Sequence, residues 1–139
     1  MQNVASEEGI PAPELLALVA SGKVIIPHNP RHAYARPIGI GHKLRTKVDV
    51  NLGISADFPD LEPELEKLRV SLKYETDTIV DLSTRADVNA IRCRILKEAT
   101  VPLGTVPICQ AVLETIDCRG TIVNMPGDDL FSAIEAQAE

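Results

Sequence analysis

The chain has 139 residues, of which 45% are hydrophobic, and its 14 basic and 20 acidic residues give a formal charge of −6. This length suits one globular core. The acidic balance, without any run of Lys and Arg, argues against a nucleic-acid-binding surface, because phosphate neutralisation requires clustered cations. There is no run of about 18 apolar residues, and the first residues lack the regions of a signal peptide. We therefore expect a soluble, cytoplasmic protein that does not bind a membrane.

The cysteines are odd in number and widely spaced, at Cys93, Cys109 and Cys118. This pattern matches neither a disulfide framework nor a closely spaced metal motif, so we expect reduced thiols. Three histidines could in principle form a metal site, namely His28, His32 and His42. Two of them lie in a Pro-rich loop without regular structure to orient them, which disfavours metal binding.

The first third of the chain shows little strand–helix alternation. A short helix is predicted over Pro13–Ser21, with Pro at its start and Gly22 after its last turn. Lys23–Ile26 is a brief extended run, and residues 28–42 form a loop or hairpin excursion. We interpret residues 1–45 as a small N-terminal region outside the units that follow.

The first strand–helix unit begins with the β-branched run Lys47–Leu52. Leucines then recur at helical spacing, and Asp60 is placed to cap the helix that carries them. This leucine stripe should face the sheet and consists of Leu61, Leu65, Leu68 and Leu72.

The second unit begins with a strand over Thr78–Leu82, after which Ser83, Thr84 or Asp87 could cap a helix. The predicted buried face of this helix consists of Val88, Ile91, Ile95 and Ala99. The residues predicted to point to solvent are Arg85, Arg92, Arg94 and Lys97.

The third unit begins with a strand over Leu103–Ile108, and the segment 110–126 remains ambiguous. A helix start is predicted at Asp128 or Asp129, and its apolar face consists of Leu130, Phe131 and Ile134. Residues 46–139 are therefore predicted to contain three parallel βα units. Three such strands leave two unpaired edges, and a closed barrel needs eight units, so the fold class is α/β with an incomplete barrel.

Three positions recur at equal intervals of 29 residues at the ends of the predicted strands, namely Asn51, Val80 and Cys109. Because ligands bind at the carboxyl ends of parallel strands, these are the candidate binding residues. The simpler alternatives are that Asn51 bonds only its own loop and that Cys109 is an inert small residue.

Four strings occur in order along the chain: VIIPHNPRH, KVDVNLGISADFPD, TDTIVDLST and VPLGTVPICQA. Together they resemble the phosphomethylpyrimidine synthase (ThiC) family, and the resemblance runs from about Glu8 to Glu139. It implies the N-terminal part of a β/α-barrel enzyme of thiamine biosynthesis. That family converts aminoimidazole ribonucleotide to hydroxymethylpyrimidine phosphate, using S-adenosylmethionine and a 4Fe-4S cluster, and homodimers are possible.

The resemblance also implies what this chain lacks. The family's three-cysteine cluster motif and its later histidine ligands for a divalent metal such as zinc would lie beyond Glu139, so we expect no cofactor bound to this chain alone and no catalytic residue or metal ligand within it. Asn51 matches a substrate-binding Asn of the family. The family has Met where this chain has Val80 and Tyr where it has Cys109. These two departures favour, as the alternative, the related 5-hydroxybenzimidazole synthase, which acts on the same ribonucleotide.

Two classes of function remain open at this point. The chain is either a piece of a radical enzyme, inactive alone, that supplies one wall of the substrate pocket, or a stand-alone binding module derived from such an enzyme. A reading frame that continues past Glu139 into a second half-barrel with clustered cysteines would decide for the first.

Overall fold

The computed structural model describes residues 1–32, 35–55, 57–84 and 87–138. Over these residues the elements follow one another as α1 (Gln2–Glu8), α2 (Ala12–Ala20), β1 (Val24–Ile25), β2 (Ile40–Gly41), β3 (Asp49–Leu52), α3 (Leu61–Lys73), β4 (Thr78–Asp81), α4 (Val88–Glu98), β5 (Leu103–Thr105), α5 (Pro107–Arg119) and α6 (Gly127–Ala138). The chain is therefore a mixed α/β structure, as predicted.

The described part of the first 45 residues contains two helices and a small antiparallel sheet of β1 and β2. Helix α2 matches the predicted Pro13–Ser21 helix, and the antiparallel pairing of β1 with β2 decides for a hairpin between the two alternatives, a loop or a hairpin. Helix α1 was not predicted, because its seven residues are too few to show a helical period. The core of this region consists of Val4, Ala5, Leu15, Leu18 and Val24. The division at residue 45 stays a prediction.

The three strands β3, β4 and β5 form a parallel sheet in that order. In its register Asn51 pairs with Val80, and Val80 pairs with Gly104. Parallel strands that follow one another in the chain and are joined by helices form the βα units that the sequence predicts.

Helices α3 and α4 pack against one face of this sheet. Leu65 and Leu68 of α3 are fully buried, which confirms the leucine stripe, and Asp60 caps the helix by accepting from the Glu62 amide. Leu52 and Ile79 supply the sheet side of the core. The predicted α4 face is also confirmed, since its members are all buried: Val88, Ile91, Ile95 and Ala99.

Because side chains alternate along a strand, the other face of the sheet carries the intervening residues. We call it the open face, and it consists of Asp49, Asn51, Thr78, Val80 and Gly104. Asn51 is exposed and Val80 is half-buried on this face. The position that the sequence analysis singled out on β3 therefore points away from the helix layer.

The third unit differs from the prediction. Strand β5 ends at Thr105 instead of Ile108, and α5 fills most of the segment left unassigned. The misassignment arose because a short apolar run such as Val106–Ile108 does not distinguish a strand from a helix start, and Pro107 occupies the first helical turn.

Three side-chain predictions were also wrong. On α6, Phe131 is 66% exposed and Ile134 is 43% exposed, whereas Ala133 is buried. Arg92 was expected in solvent, but it is only 7% exposed. Its neighbour Arg94 is exposed as predicted, and Arg85 lies outside the described residues.

Candidate functional site

The carboxyl end of the parallel sheet brings together two of the three predicted positions. Asn51 and Val80 are register partners on adjacent strands. Cys109 does not continue that row, because Gly104 is the register partner of Val80 on β5. Cys109 lies instead in the first turn of α5, where its amide donates to the Val106 carbonyl at 3.0 Å. The equal interval of 29 therefore marks the register of two strands but not of the third.

The loops after β3 and β4 continue the pairing beyond the strand ends. The Leu82 amide donates to the Leu52 carbonyl at 2.7 Å, and the Thr84 amide donates to the Ile54 carbonyl at 2.9 Å. A Cβ added at Gly53 would lie 2.8 Å from the Leu82 carbonyl carbon. Only glycine allows the two backbones to approach this closely, so Gly53, two residues after Asn51, allows the two loops to pack against each other.

Gly53 is also attached to the helix layer. Its amide donates to Glu64 Oε2 at 3.0 Å, while Glu64 Oε1 accepts from Lys67 at 2.6 Å. Glu64 is 6% exposed, so this carboxylate is a buried anchor for the loop that follows Asn51.

A buried polar network lies behind the same strand ends, on the helix side of the sheet. Asp81 Oδ1 accepts from the Ser83 amide at 2.9 Å and from Ser83 Oγ at 2.5 Å. Asp81 Oδ2 accepts from Arg92 Nε at 3.0 Å, and Arg92 Nη1 donates to Gln110 Oε1 at 2.7 Å. Ser83 is therefore not the helix cap; Asp87 fills that role by accepting from the Ala90 amide.

A second charged cluster lies at the amino end of β4. Asp77 accepts hydrogen bonds from the Arg45 guanidinium and from the Val48 amide, and its side chain is 1% exposed. Glu8 of α1 accepts from Lys47 at 2.8 Å and from the Arg45 amide at 2.9 Å. This cluster attaches the N-terminal region to the sheet.

The electrostatics of this amino-end cluster favour its charged form. Burial raises the pKa of Asp77, but the hydrogen bonds from Arg45 and from the Val48 amide outweigh it, so the pKa lies below its usual range. Burial also raises the pKa of Glu8, but the hydrogen bonds from Lys47 and the Arg45 amide outweigh it, so this pKa is lowered as well. The hydrogen bond to Asp77 raises the pKa of Arg45.

The described residues do not fit an iron–sulfur cluster. Cys93 is exposed on α4, and Cys109 and Cys118 lie near opposite ends of α5, about 13 Å apart along the helix axis. Among the described residues no group of three His, Cys, Asp or Glu side chains is arranged to hold a metal. His32 Nε2 instead shares a hydrogen bond of 2.9 Å with the Ala99 carbonyl.

Sequence reasoning missed Arg92 and Gln110, although one signal was available. Residue 92 follows Val88 by four positions, so the helical period itself places it on the buried face of α4. A charged residue at such a position indicates a buried partner. The sequence offered Asp81 as one candidate, because Asp81 lies on the same face of β4 as the buried Ile79, but the pairing itself is decided by the packing of the elements.

The sequence model of the Radical SAM ThiC family matches residues 1–139. The chain belongs to this family. A phosphomethylpyrimidine synthase of Moorella thermoacetica is 47% identical over 139 residues, which are 100% of this chain and 32% of that protein. A phosphomethylpyrimidine synthase of Desulforamulus reducens is 44% identical over 136 residues, which are 97% of this chain and 31% of that protein.

A third relative gives the same result. A phosphomethylpyrimidine synthase of Methanococcus maripaludis is 44% identical over 139 residues and is matched over 32% of its length. The chain thus spans about a third of the length of the curated relatives that it matches. None of the helices in the described parts of the chain has the length and apolar character needed to cross a membrane.

Proposed function

We propose that this chain forms the N-terminal third of a phosphomethylpyrimidine synthase, a cytoplasmic radical enzyme that converts aminoimidazole ribonucleotide to hydroxymethylpyrimidine phosphate. The observation that carries the proposal is the open face of the sheet, which places Asn51 and Val80 side by side at the carboxyl end of two parallel strands. In β/α barrels this end of the strands is the ligand end.

The arrangement of the helices supports an incomplete barrel. Both crossover helices, α3 and α4, pack on one face of the sheet, with Leu68 and Ile95 in a common core. In a closed barrel the helices form an outer ring and the opposite sheet face lines the interior. The open face would then be the wall of that interior, and further strands would pair with the outer edges of β3 and β5.

Each candidate residue has a distinct role in this proposal. The Asn51 amide can both donate to and accept from a polar group of the ribonucleotide. Val80 provides an apolar wall beside it. Cys109 lies in the first turn of α5, on the loop side of β5, and completes the rim of the pocket. These assignments make the three residues a substrate-binding set without a catalytic group among them.

The chemistry requires groups that this chain does not supply. In this family S-adenosylmethionine and a 4Fe-4S cluster provide the radical, and a divalent metal such as zinc belongs to the same enzymes. Since the dispersed cysteines do not fit the cluster, we propose that the remaining two thirds of the enzyme bind these cofactors and that this chain is inactive alone.

The proposal is tested by expressing the reading frame that contains this chain and, separately, residues 1–139. After cluster reconstitution, the longer protein should convert aminoimidazole ribonucleotide, with the product identified by mass spectrometry. Residues 1–139 should neither bind a stoichiometric four-iron centre nor cleave S-adenosylmethionine, and the outer edges of β3 and β5 should cause self-association. A stable monomer that binds the ribonucleotide without further chain would instead identify a stand-alone binding module.

A second product is favoured by one specific observation. The pocket positions 80 and 109 carry Val and Cys, which are smaller than the Met and Tyr that the family resemblance implies there. A changed pocket wall can alter discrimination between reactions of one substrate. The alternative is therefore a 5-hydroxybenzimidazole synthase, which takes the same ribonucleotide.

Product analysis separates these two functions. The double variant Val80→Met/Cys109→Tyr of the full-length enzyme should retain or raise the yield of the pyrimidine phosphate if that is the native product. The same double variant should impair the native reaction if 5-hydroxybenzimidazole is the native product. Gly104→Ala is the matched control. It adds a Cβ to the open face, 3.1 Å from Val80 Cγ2, but restores neither of the two family residues.

A further inference from the structure

The buried network behind the sheet is adjacent in sequence to the candidate pocket residues. Asp81 directly follows Val80, and Gln110 directly follows Cys109. Arg92 contacts both of these neighbours, through Nε to Asp81 and through Nη1 to Gln110. One side chain of α4 thus connects the carboxyl end of β4 to the first turn of α5.

From this arrangement we infer that Arg92 is a positioning residue for the substrate pocket, which holds Val80 and Cys109 at a fixed separation from the opposite side of the sheet. The inference rests on the proposed function, because it assigns a role at the same pocket.

The network extends to the third pocket position as well. Ser83 Oγ donates to Asp81 and accepts from the Ile54 amide at 3.1 Å, so the loop after Asn51 is connected to the same carboxylate. Both oxygens of Asp81 therefore have partners, one on the loop side and one on the helix side. A displacement of Arg92 would be transmitted to all three positions.

Arg92 acts through the backbone and not by contact with the ligand. Asp81 lies on the helix-covered face of β4, whereas Val80 lies on the open face. The side chains of Arg92 and Asp81 are 8% and 0% exposed, so neither reaches a ligand on the open face from the helix side. The residue is consequently a positioning residue and not a catalytic one.

The use of a buried ion pair between Arg92 and Asp81 also indicates that Arg92 positions its partners and does not mainly stabilise the fold. Burying two charges costs about as much as their attraction returns, so a buried pair is a poor stabilising device. The planar guanidinium, however, presents its N–H groups in a rigid fork, which fixes the angle between its two partners. Lys offers the same charge without that fork.

The test uses the full-length enzyme and four variants: Arg92→Met, Arg92→Lys, Asp81→Asn/Arg92→Met and Arg94→Met. Arg92→Met leaves the Asp81 carboxylate buried and unpaired, so its melting temperature should fall. In the double variant no unpaired charge remains, and the amide oxygen introduced by Asp81→Asn can still accept from Ser83. The melting temperature should therefore recover in large part, since the amide NH2 left without an acceptor costs less than an unpaired carboxylate. Arg94 is exposed on the same helix, and Arg94→Met is the matched control.

Two quantities are measured below the lowest melting temperature: kcat/KM and the dissociation constant for aminoimidazole ribonucleotide. We expect the double variant to lose about 10- to 100-fold in kcat/KM despite its recovered melting temperature, because small misplacements of binding groups have effects of this size. Arg92→Lys should be intermediate, and Arg94→Met should match the unmodified enzyme.

The outcomes separate the inference from the proposed function. A double variant with both activity and melting temperature restored would overturn the positioning role. So would variants whose activity simply follows the folded fraction. An unmodified enzyme that neither binds nor converts the ribonucleotide would overturn the proposed function, and the inference with it.

Discussion

A buried aspartate lies at each end of strand β4 and pairs with an arginine, and the two pairs differ in what they connect. At the amino end Asp77 pairs with Arg45, whose side chain is 47% exposed and lies next to Glu8 of α1. At the carboxyl end Asp81 pairs with Arg92, whose side chain is 8% exposed and reaches Gln110 of α5. The first pair joins the N-terminal region to the sheet, and the second joins the elements around the proposed pocket.

Because the two pairs connect different elements, we expect disruption at one end of β4 to have a different effect from disruption at the other end. In β/α barrels the amino end of the strands contributes stability, and the carboxyl end carries the ligand site. Disruption at the Asp77 end should therefore lower stability and leave the activity of the folded enzyme unchanged. Disruption at the other end should reduce activity beyond any loss of folded protein.

The largest effect is expected at Asn51 in the full-length enzyme. Asn51→Ala removes a hydrogen-bonding side chain from the open face and should raise the KM for the ribonucleotide by about 100-fold, since sites built to hydrogen-bond a ligand depend strongly on that bond. Steady-state kinetics measure this change. Asp49→Ala is the control on the same face near the amino end, and a comparable rise in KM for it would contradict the comparison.

The next effect concerns Asp77. Asp77→Ala removes the acceptor of both Arg45 and the Val48 amide at a nearly fully buried position, and we expect a loss of about 2–3 kcal/mol in local stability. Native-state hydrogen exchange of the β4 amides measures this loss. Glu98→Ala, which breaks an exposed pair with Arg69, should leave the same amides unchanged. A fall in kcat per folded molecule of Asp77→Ala would refute the separation of the two ends.

A smaller effect distinguishes two glycines at the carboxyl end. Gly53→Ala places a Cβ 2.8 Å from the Leu82 backbone, which must shift, and should cost about 1–3 kcal/mol. Gly104→Ala places a Cβ 3.1 Å from Val80 Cγ2 and 3.7 Å from the Ile79 carbonyl oxygen, so no backbone atom must shift, and it should cost less. Thermal unfolding of the two variants provides the measurement. Equal losses would show that the loop contact after β3 is not rigid.

The smallest effect is the pH dependence of the amino-end cluster. Asp77 and Glu8 have pKa values lowered below their ordinary 3.8 and 4.5, so their contribution to stability is fully present above those values. It is lost as the pH falls through the lowered pKa values. Stability should therefore decline below about pH 4.5, and Asp77→Asn should decline less steeply over that range. Unfolding midpoints at a series of acidic pH values check this; an unchanged slope would exclude Asp77 as a contributor.

Much of the fold followed from local patterns in the sequence. The leucine spacing of α3 and the apolar spacing of α4 each predicted the buried face, because a helix with one apolar stripe has only one way to pack on a sheet. The register of Asn51 with Val80 also matched the predicted interval of 29 residues, whereas the register partner of Val80 on β5 is Gly104, only 24 residues further along the chain.

The tertiary structure alone decided the placement of residues whose partners are distant in the chain. Cys109 belongs to α5 because the apolar run before it packs as a helix start, and a run of that length has no period to indicate this. Arg92 is buried because Asp81 and Gln110, on two other elements, satisfy its charge and hydrogen bonds. A sequence pattern records which face a residue occupies, but the partners that make a buried charge tolerable appear only when the elements are packed together.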